Sequence, residues 1–336
     1  MIKKEYYEKY KGQDVYNFTI KDDIEVKIST LGGTVLSILV PDKKGKTVDV
    51  ALGVIGTDNM VNSGYMGVVV GRCGNRIKDG IFSLNGKNYQ LNKNEDGISH
   101  LHGGIEGFDK KIFDYKAENN TLTLKYFSPD MEEGYPSNLN FTVKYTVKKS
   151  DLIIEYFGES DGTTLFNPTN HTYFNLNGES DGSILDNVMK INADYYLPIT
   201  KNYIPTGEIR SVLNTPFDFN VPKKIGRDIN CDDEQLAIEG GYDHNFCIKD
   251  SHFATVYSEK TGIQMDCYTD LHGVQFYSGN LIVLVKGKSD YKKYAGFCLE
   301  SQFYPNAINH ENFKSPILNK DDKFYSKTEY RFSIKK

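Results

Sequence analysis

The chain has 336 residues, with 40 Lys and Arg against 45 Asp and Glu, a formal net charge of -5. That acidic balance, with the Lys pairs at 43–44, 110–111 and 223–224 kept apart, excludes a surface built to track phosphates, so nucleic acid is not an expected partner. Twenty-four Tyr and 19 Phe without a Trp favour strands over helices, and 30 Gly supply the turns.

Length alone allows one large domain or two ordinary ones. All-β chains of this size usually stay in one piece, so the expectation is a single domain spanning 1–336. Met1–Tyr7 lacks the apolar core of a signal peptide, and no later run is long enough to span a membrane. Cysteines 73, 231, 247, 267 and 298 are odd in number and form no CxxC pair. Free thiols in a reducing cytoplasm are expected.

Ile24, Val26 and Ile28 alternate with Glu25 and Lys27, the period of a half-buried strand. Gly32-Gly33 punctuates it, Val35–Val40 is an apolar run, and Pro41–Gly45 is a turn. Asp79-Gly80 and Asn85-Gly86 bracket Phe82 and Leu84, a hairpin signal. Leu122, Leu124 and Tyr126 alternate; so do Phe141, Val143, Tyr145 and Val147. Leu152–Phe157 is an apolar run, and Asp130–Pro136 is a loop. Helical spacing is confined to short stretches near Asp58–Val61 and Asp233–Ala237, with no internal repeat or linker. One all-β domain of many strands follows.

Several stretches carry side chains suited to chemistry. Gly71–Ile77 lacks the spacing of a dinucleotide turn or a phosphate loop, but puts Asn75 and Arg76 near a sharp turn. There Arg76 either reaches a ligand or pairs with a surface carboxylate. His100-Leu101-His102 with Glu106 has strand spacing for one metal ion and resembles the metal motif of the cupin family. The glycines expected around that motif are Asn94 and Phe113 here, and no second motif follows, so no metal is expected. Gly103-Gly104 suggests a close approach of backbone to ligand.

Phe166–Leu176 sets His171 among amides, hydroxyls and aromatic rings. Amides suit sugar hydroxyls, rings suit sugar C–H faces, and the imidazole can exchange a proton near neutral pH. The alternative is a buried strand histidine satisfied by backbone. Asp243, after Gly240-Gly241, either accepts bonds from neighbouring hydroxyls or fixes its own turn. Gln275 lies in Gly273–Asn280, which alternates polar and aromatic residues like a cleft-lining strand. Glu300 follows Phe297-Cys298-Leu299, and a carboxyl on so apolar a strand must be paired, bonded or protonated, unless the strand end faces solvent.

Together, Gly71–Ile77, Leu101–Gly104, Asp130–Pro136, Asn167–Leu176, Gly241–Phe246, Gly273–Asn280 and Glu300–Asn309 resemble the aldose 1-epimerase family, the galactose mutarotases. The resemblance runs from Leu31-Gly32-Gly33 to Tyr330-Arg331-Phe332. It implies a large antiparallel β-supersandwich that interconverts anomers of a small-molecule aldose, with no cofactor, as a monomer or homodimer. Glu300 would be the general base, ionised at rest, and His171 the general acid, protonated at rest. Asn75, Arg76, His102, Asp243 and Gln275 would hold the sugar, with Arg76 near the ring oxygen. Departures cluster beside the base: Ser301 for the usual Thr, Phe303 for a frequent His, Asn306 for a common Asp. Pro168 stands where Leu is frequent.

Overall fold

The computed structural model describes residues 1–335. The period-two patterns become a division of side chains between two faces. In the pair Leu139–Lys148 and Asp151–Ser160, Phe141, Val143 and Tyr145 are buried on one strand, Ile154 and Tyr156 on the other. The apolar run Leu152–Phe157 is split the same way, with Ile153 and Phe157 only half-buried. Asn85 and Gly86, both at positive φ, close the expected hairpin between Ile81–Leu84 and Lys87–Gln90.

Among the described residues the strands form one nine-stranded and two five-stranded sheets, with two-stranded ribbons between them. The nine-stranded sheet has its middle in the C-terminal strand Lys323–Ile334, which pairs antiparallel with Asp151–Ser160 and Ile263–Thr269. The strands from Ile2–Tyr10 to Thr47–Asp49 pair in sequence order as one five-stranded sheet. The second runs Arg210–Ser211, Ala193–Tyr196, Asp243–Ile248, Gly273–Tyr277, Cys298–Gln302. Val26, Phe141, Phe246 and Tyr330, drawn from all three sheets, share one apolar cluster.

The class is all-β, as expected. The α-helices Thr57–Asn62 and Glu234–Glu239 fall where the short helical spacings lie. Asp233 caps the second by accepting from the Gln235 and Leu236 amides, and Gly240 ends it at φ 63°. No helix among the described residues is long and apolar enough to cross a membrane.

Candidate active site

The floor of the site is one face of the second five-stranded sheet. Asn245 pairs across from Gln275, Gln275 from Glu300, and Tyr277 from Cys298. Cross-strand partners share a face. Asp243, Asn245, Gln275, Tyr277, Cys298, Glu300 and Gln302 therefore point one way, while Phe246, Val274, Phe276 and Leu299 point into the core. Tyr330, from the nine-stranded sheet, donates to the Leu299 carbonyl at 3.0 Å and ties this strand from beneath.

His171 is brought to that floor by fastenings on either side of it. Asn167 Oδ1 accepts the Phe303 amide at 2.9 Å, and Phe174 exchanges two backbone bonds with Phe297. Phe297 and Phe303 flank the Glu300 strand, so the His171 stretch is laced along it. The His171 backbone bonds Val68 and Gly67. Its Nε2 then lies 3.7 Å from Glu300 Oε1, both side chains buried.

Asn75, at φ 59°, turns the chain so that Arg76 enters the site. His102, at φ 51°, follows the strand His100–Leu101 and lines the cleft, whereas His100 bonds Asn92 and Tyr135. His102 Nδ1 accepts the Asn75 amide at 3.1 Å, so the neutral ring carries its proton on Nε2. Arg76 donates through Nε and Nη2 to Glu95 at 2.7–3.0 Å, lies 3.7 Å from Asp243 and packs against the Tyr203 ring. Gln275 donates to Asp243 at 2.7 Å. A cleft of about 390 Å³ is lined by Asn75, Arg76, His102, His171, Asp243 and Glu300, with Tyr65, Tyr173 and Tyr277 as aromatic walls. Gln275 sits behind that lining. At the rim, Leu281, Val283 and Leu284 are exposed. A larger cavity of about 770 Å³ lies between Pro198–Lys201 and the second helix, but no histidine lines it among the described residues.

Burial dominates the electrostatics. It pushes His171 down to about 4 and His102 well below the usual imidazole range, the latter aided by the neighbouring charges of His171 and Arg76. It pushes Glu300 well above the carboxylate range, reinforced by Asp243 and opposed by Arg76. Burial thus works against the ionised Glu300 and protonated His171 expected at rest and favours the neutral form of each. Burial also works against the Arg76 charge, but Asp243 and Glu95 outweigh it and its pKa rises. Burial raises Asp243 and Glu239, the latter to about 8, with Asp243 adding to that rise.

The other readings fare unevenly. The His100, His102, Glu106 trio does not assemble. His100 bonds Asn92 and Tyr135, and Glu106 pairs with Lys11. His102, His171 and Glu300 do offer ligand atoms within 4.8 Å of one another. The Nε2 proton on His102 makes that nitrogen a donor rather than a ligand, so the set fits a metal poorly. Gly103 approaches backbone instead of ligand: a Cβ there would lie 1.8 Å from the Gly71 carbonyl oxygen. Sequence reasoning missed Glu95, Glu239, Tyr65 and Tyr203, which lie in no distinctive motif. Cys298 read there only as apolar context.

Residues 14–331 match the family model described as aldose 1-epimerase. The galactose mutarotase of Bos taurus is 39% identical over 321 residues, 93% of this chain and 92% of the relative. The aldose 1-epimerase of Escherichia coli (strain K12) is 32% identical over 335 residues, 96% of each chain. A crystal structure of galactose 1-epimerase from Lactobacillus acidophilus NCFM matches with a TM-score of 0.90 at 26% identity, covering 100% of this chain and 99% of that one. The chain belongs to the aldose 1-epimerase family.

Proposed function

We propose that this chain is a single-domain aldose 1-epimerase that interconverts the α and β anomers of free hexoses such as galactose or glucose. The observation that carries the reading is the buried His171–Glu300 pair, 3.7 Å apart on the floor of a polar cleft. The free state of all five cysteines supports a reducing, cytoplasmic setting.

Exchanging anomers means breaking the C1–O5 bond of a hemiacetal. A base takes the O1 proton, an acid supplies one to O5, and an open-chain aldehyde forms. Rotation about C1–C2 presents the other carbonyl face, and reclosure returns both protons. The pair needs one proton between its members, and one is what the neutral pair holds. Glu300 acts toward O1 and His171 toward O5, once the Glu300 proton has passed to His171. Sugar hydroxyls and the Arg76 guanidinium support the ionic form of the pair that burial disfavours. Asp243, held by Gln275 and Arg76, accepts bonds from sugar hydroxyls, as Asn75 and the His102 Nε2–H serve others. Each general acid or base contributes about 10²–10⁴-fold, enough for a reaction that already runs in water.

The test is polarimetry on freshly dissolved α-D-galactose and α-D-glucose, with and without the protein. Faster relaxation is expected. Sugar binding with relaxation no faster than buffer, for these and other common aldoses, overturns the reading in favour of a binding module.

A further inference from the structure

Three carboxyls crowd one cation beside the cleft. Arg76 is held by Glu95 and lies 3.7 Å from Asp243, and a third acid, Glu239, adds to the negative field around it. Glu239 is the last residue of the helix Glu234–Glu239. Gly240 and Gly241, both at positive φ, fold the chain back so that Glu239 meets Asp243 at the start of the next strand. The Glu239 side chain is buried, and neither of its oxygens receives an N–H or O–H from another group among the described residues. The Lys293 ammonium stands beside Gly240 but makes no bond to it. What Glu239 meets is the Asp243 carboxyl, within hydrogen-bonding reach. Two carboxyls form a hydrogen bond only when one of them carries a proton.

We propose that Glu239 is a positioning residue that stays a carboxylic acid and donates a hydrogen bond to Asp243, keeping Asp243 ionised and fixed for the sugar hydroxyls. The inference rests on the proposed epimerase reading for the sugar that Asp243 holds, but not for the bond itself. Charge counting requires a retained proton. Glu95, Asp243 and Glu239 would bring three negative charges to one guanidinium, the nearby Tyr203 and Tyr277 are held neutral, and an unpaired buried charge is costly. The proton belongs on Glu239 because Asp243 accepts from Gln275 at 2.7 Å, a bond that favours a carboxylate, whereas Glu239 has no such donor. The carbonyls at the helix end also disfavour a negative charge on Glu239. Burial, with Asp243 adding to it, accordingly raises the Glu239 carboxyl to about 8. Glu239 stands behind the residues that line the cleft, so it acts through Asp243.

The experiment joins ¹³C NMR of the full chain, labelled at its glutamate carboxyls, to initial-rate polarimetry with galactose. At pH 7 the Glu239 signal, assigned by its loss in Glu239→Gln, should be that of a carboxylic acid. Glu239→Gln, whose amide also donates to Asp243, should keep kcat and KM within about twofold of the parent. Glu239→Met, similar in length but without a donor, should raise KM roughly tenfold at unchanged kcat, as for one hydrogen bond to a charged group. Circular dichroism checks that each variant is folded; if the methionine variant is not, Glu239→Ala takes its place, and if the glutamine variant is not, Glu239→Asp assigns the signal. An ionised Glu239 at pH 7 overturns the proposal, as does a folded methionine or alanine variant with parental KM. A folded glutamine variant that loses as much as the methionine variant also overturns it, because a charge paired with Arg76, not a donated proton, would then be the role of Glu239. If the carboxyl signal is as expected while the parent accelerates no aldose, the epimerase reading fails and the shared proton stands.

Discussion

Glu95 grips Arg76 by two of its nitrogens, at 2.7–3.0 Å, while the same guanidinium lies 3.7 Å from Asp243. Both side chains are largely shielded from solvent, where charge-assisted bonds are strong and an unpaired charge is costly. The cation reaches the cleft already oriented, because its fork is filled from one side.

Glu95→Gln keeps the shape and removes one of the charges that stabilise Arg76. The expected outcome is a loss of roughly tenfold in kcat/KM for galactose, carried mainly by KM, since the reacting pair is untouched. Initial-rate polarimetry over a range of sugar concentrations measures it. An unchanged KM would mean that Arg76 is held by Asp243 and the Tyr203 ring alone.

Glu300→Gln removes the group that exchanges a proton with O1 and leaves an amide of the same volume. The expected loss in kcat is about 10²–10⁴-fold, with sugar binding still measurable by calorimetry. Retention of full activity would refute the assignment of Glu300.

The pH profile of kcat/KM should be a broad bell, because the active free enzyme is the pair bearing one proton. The acid limb is the arrival of a second proton on His171, whose pKa burial holds at about 4. Activity is therefore lost as pH falls through that region, not through the ordinary histidine value. The alkaline limb is the loss of the last proton from the pair. At pH 5.5, kcat/KM should stay within about twofold of its value at pH 7, whereas an unperturbed imidazole would halve it near pH 6.5. Polarimetry in overlapping buffers distinguishes the two.

Asp109 is buried, and burial raises its carboxyl to about 7, against about 3.9 in an unfolded chain. Its Oδ1 has no hydrogen-bond partner among the described residues. Between those two values the folded state binds more protons, so this group's contribution to stability is lost as pH rises through about 7. Asp109→Asn has no such loss. Relative to the parent it should be more stable at pH 8 than at pH 4 by about 2–4 kcal/mol. Urea unfolding at both pH values tests this; a difference independent of pH would contradict it.

Strands with one wet face were legible because burial writes a period of two into the sequence: Phe141 to Val147 and Ile24 to Ile28 are buried where the alternation puts them. His171 and Glu300 were legible as residue types out of keeping with their neighbours, and together as parts of a family pattern. Their separation in space was not, since it is set by bonds between Asn167, Phe174 and the residues flanking Glu300. The parting of His102 from His100 was hidden for a local reason. A left-handed residue breaks the strand geometry that would have put it beside His100, and the sequence carries no glycine at that position to announce it. The pull of burial on the protonation of the pair was not legible, because it depends on how completely the groups are dried, a property of the fold as a whole.

The paired strands of the floor also determine where this protein can tolerate a change of length. Inserting one residue into Cys298–Gln302 would exchange the two sets of side chains, sending the carboxyl inward among Phe246 and Phe276 and exposing leucine to the substrate. Such a slip would abolish turnover and folding together, so the same hydrophobic sorting that builds the interior also proofreads the chemistry. Length variation is free to accumulate in the connecting loops instead, such as the rim around Leu281–Leu284.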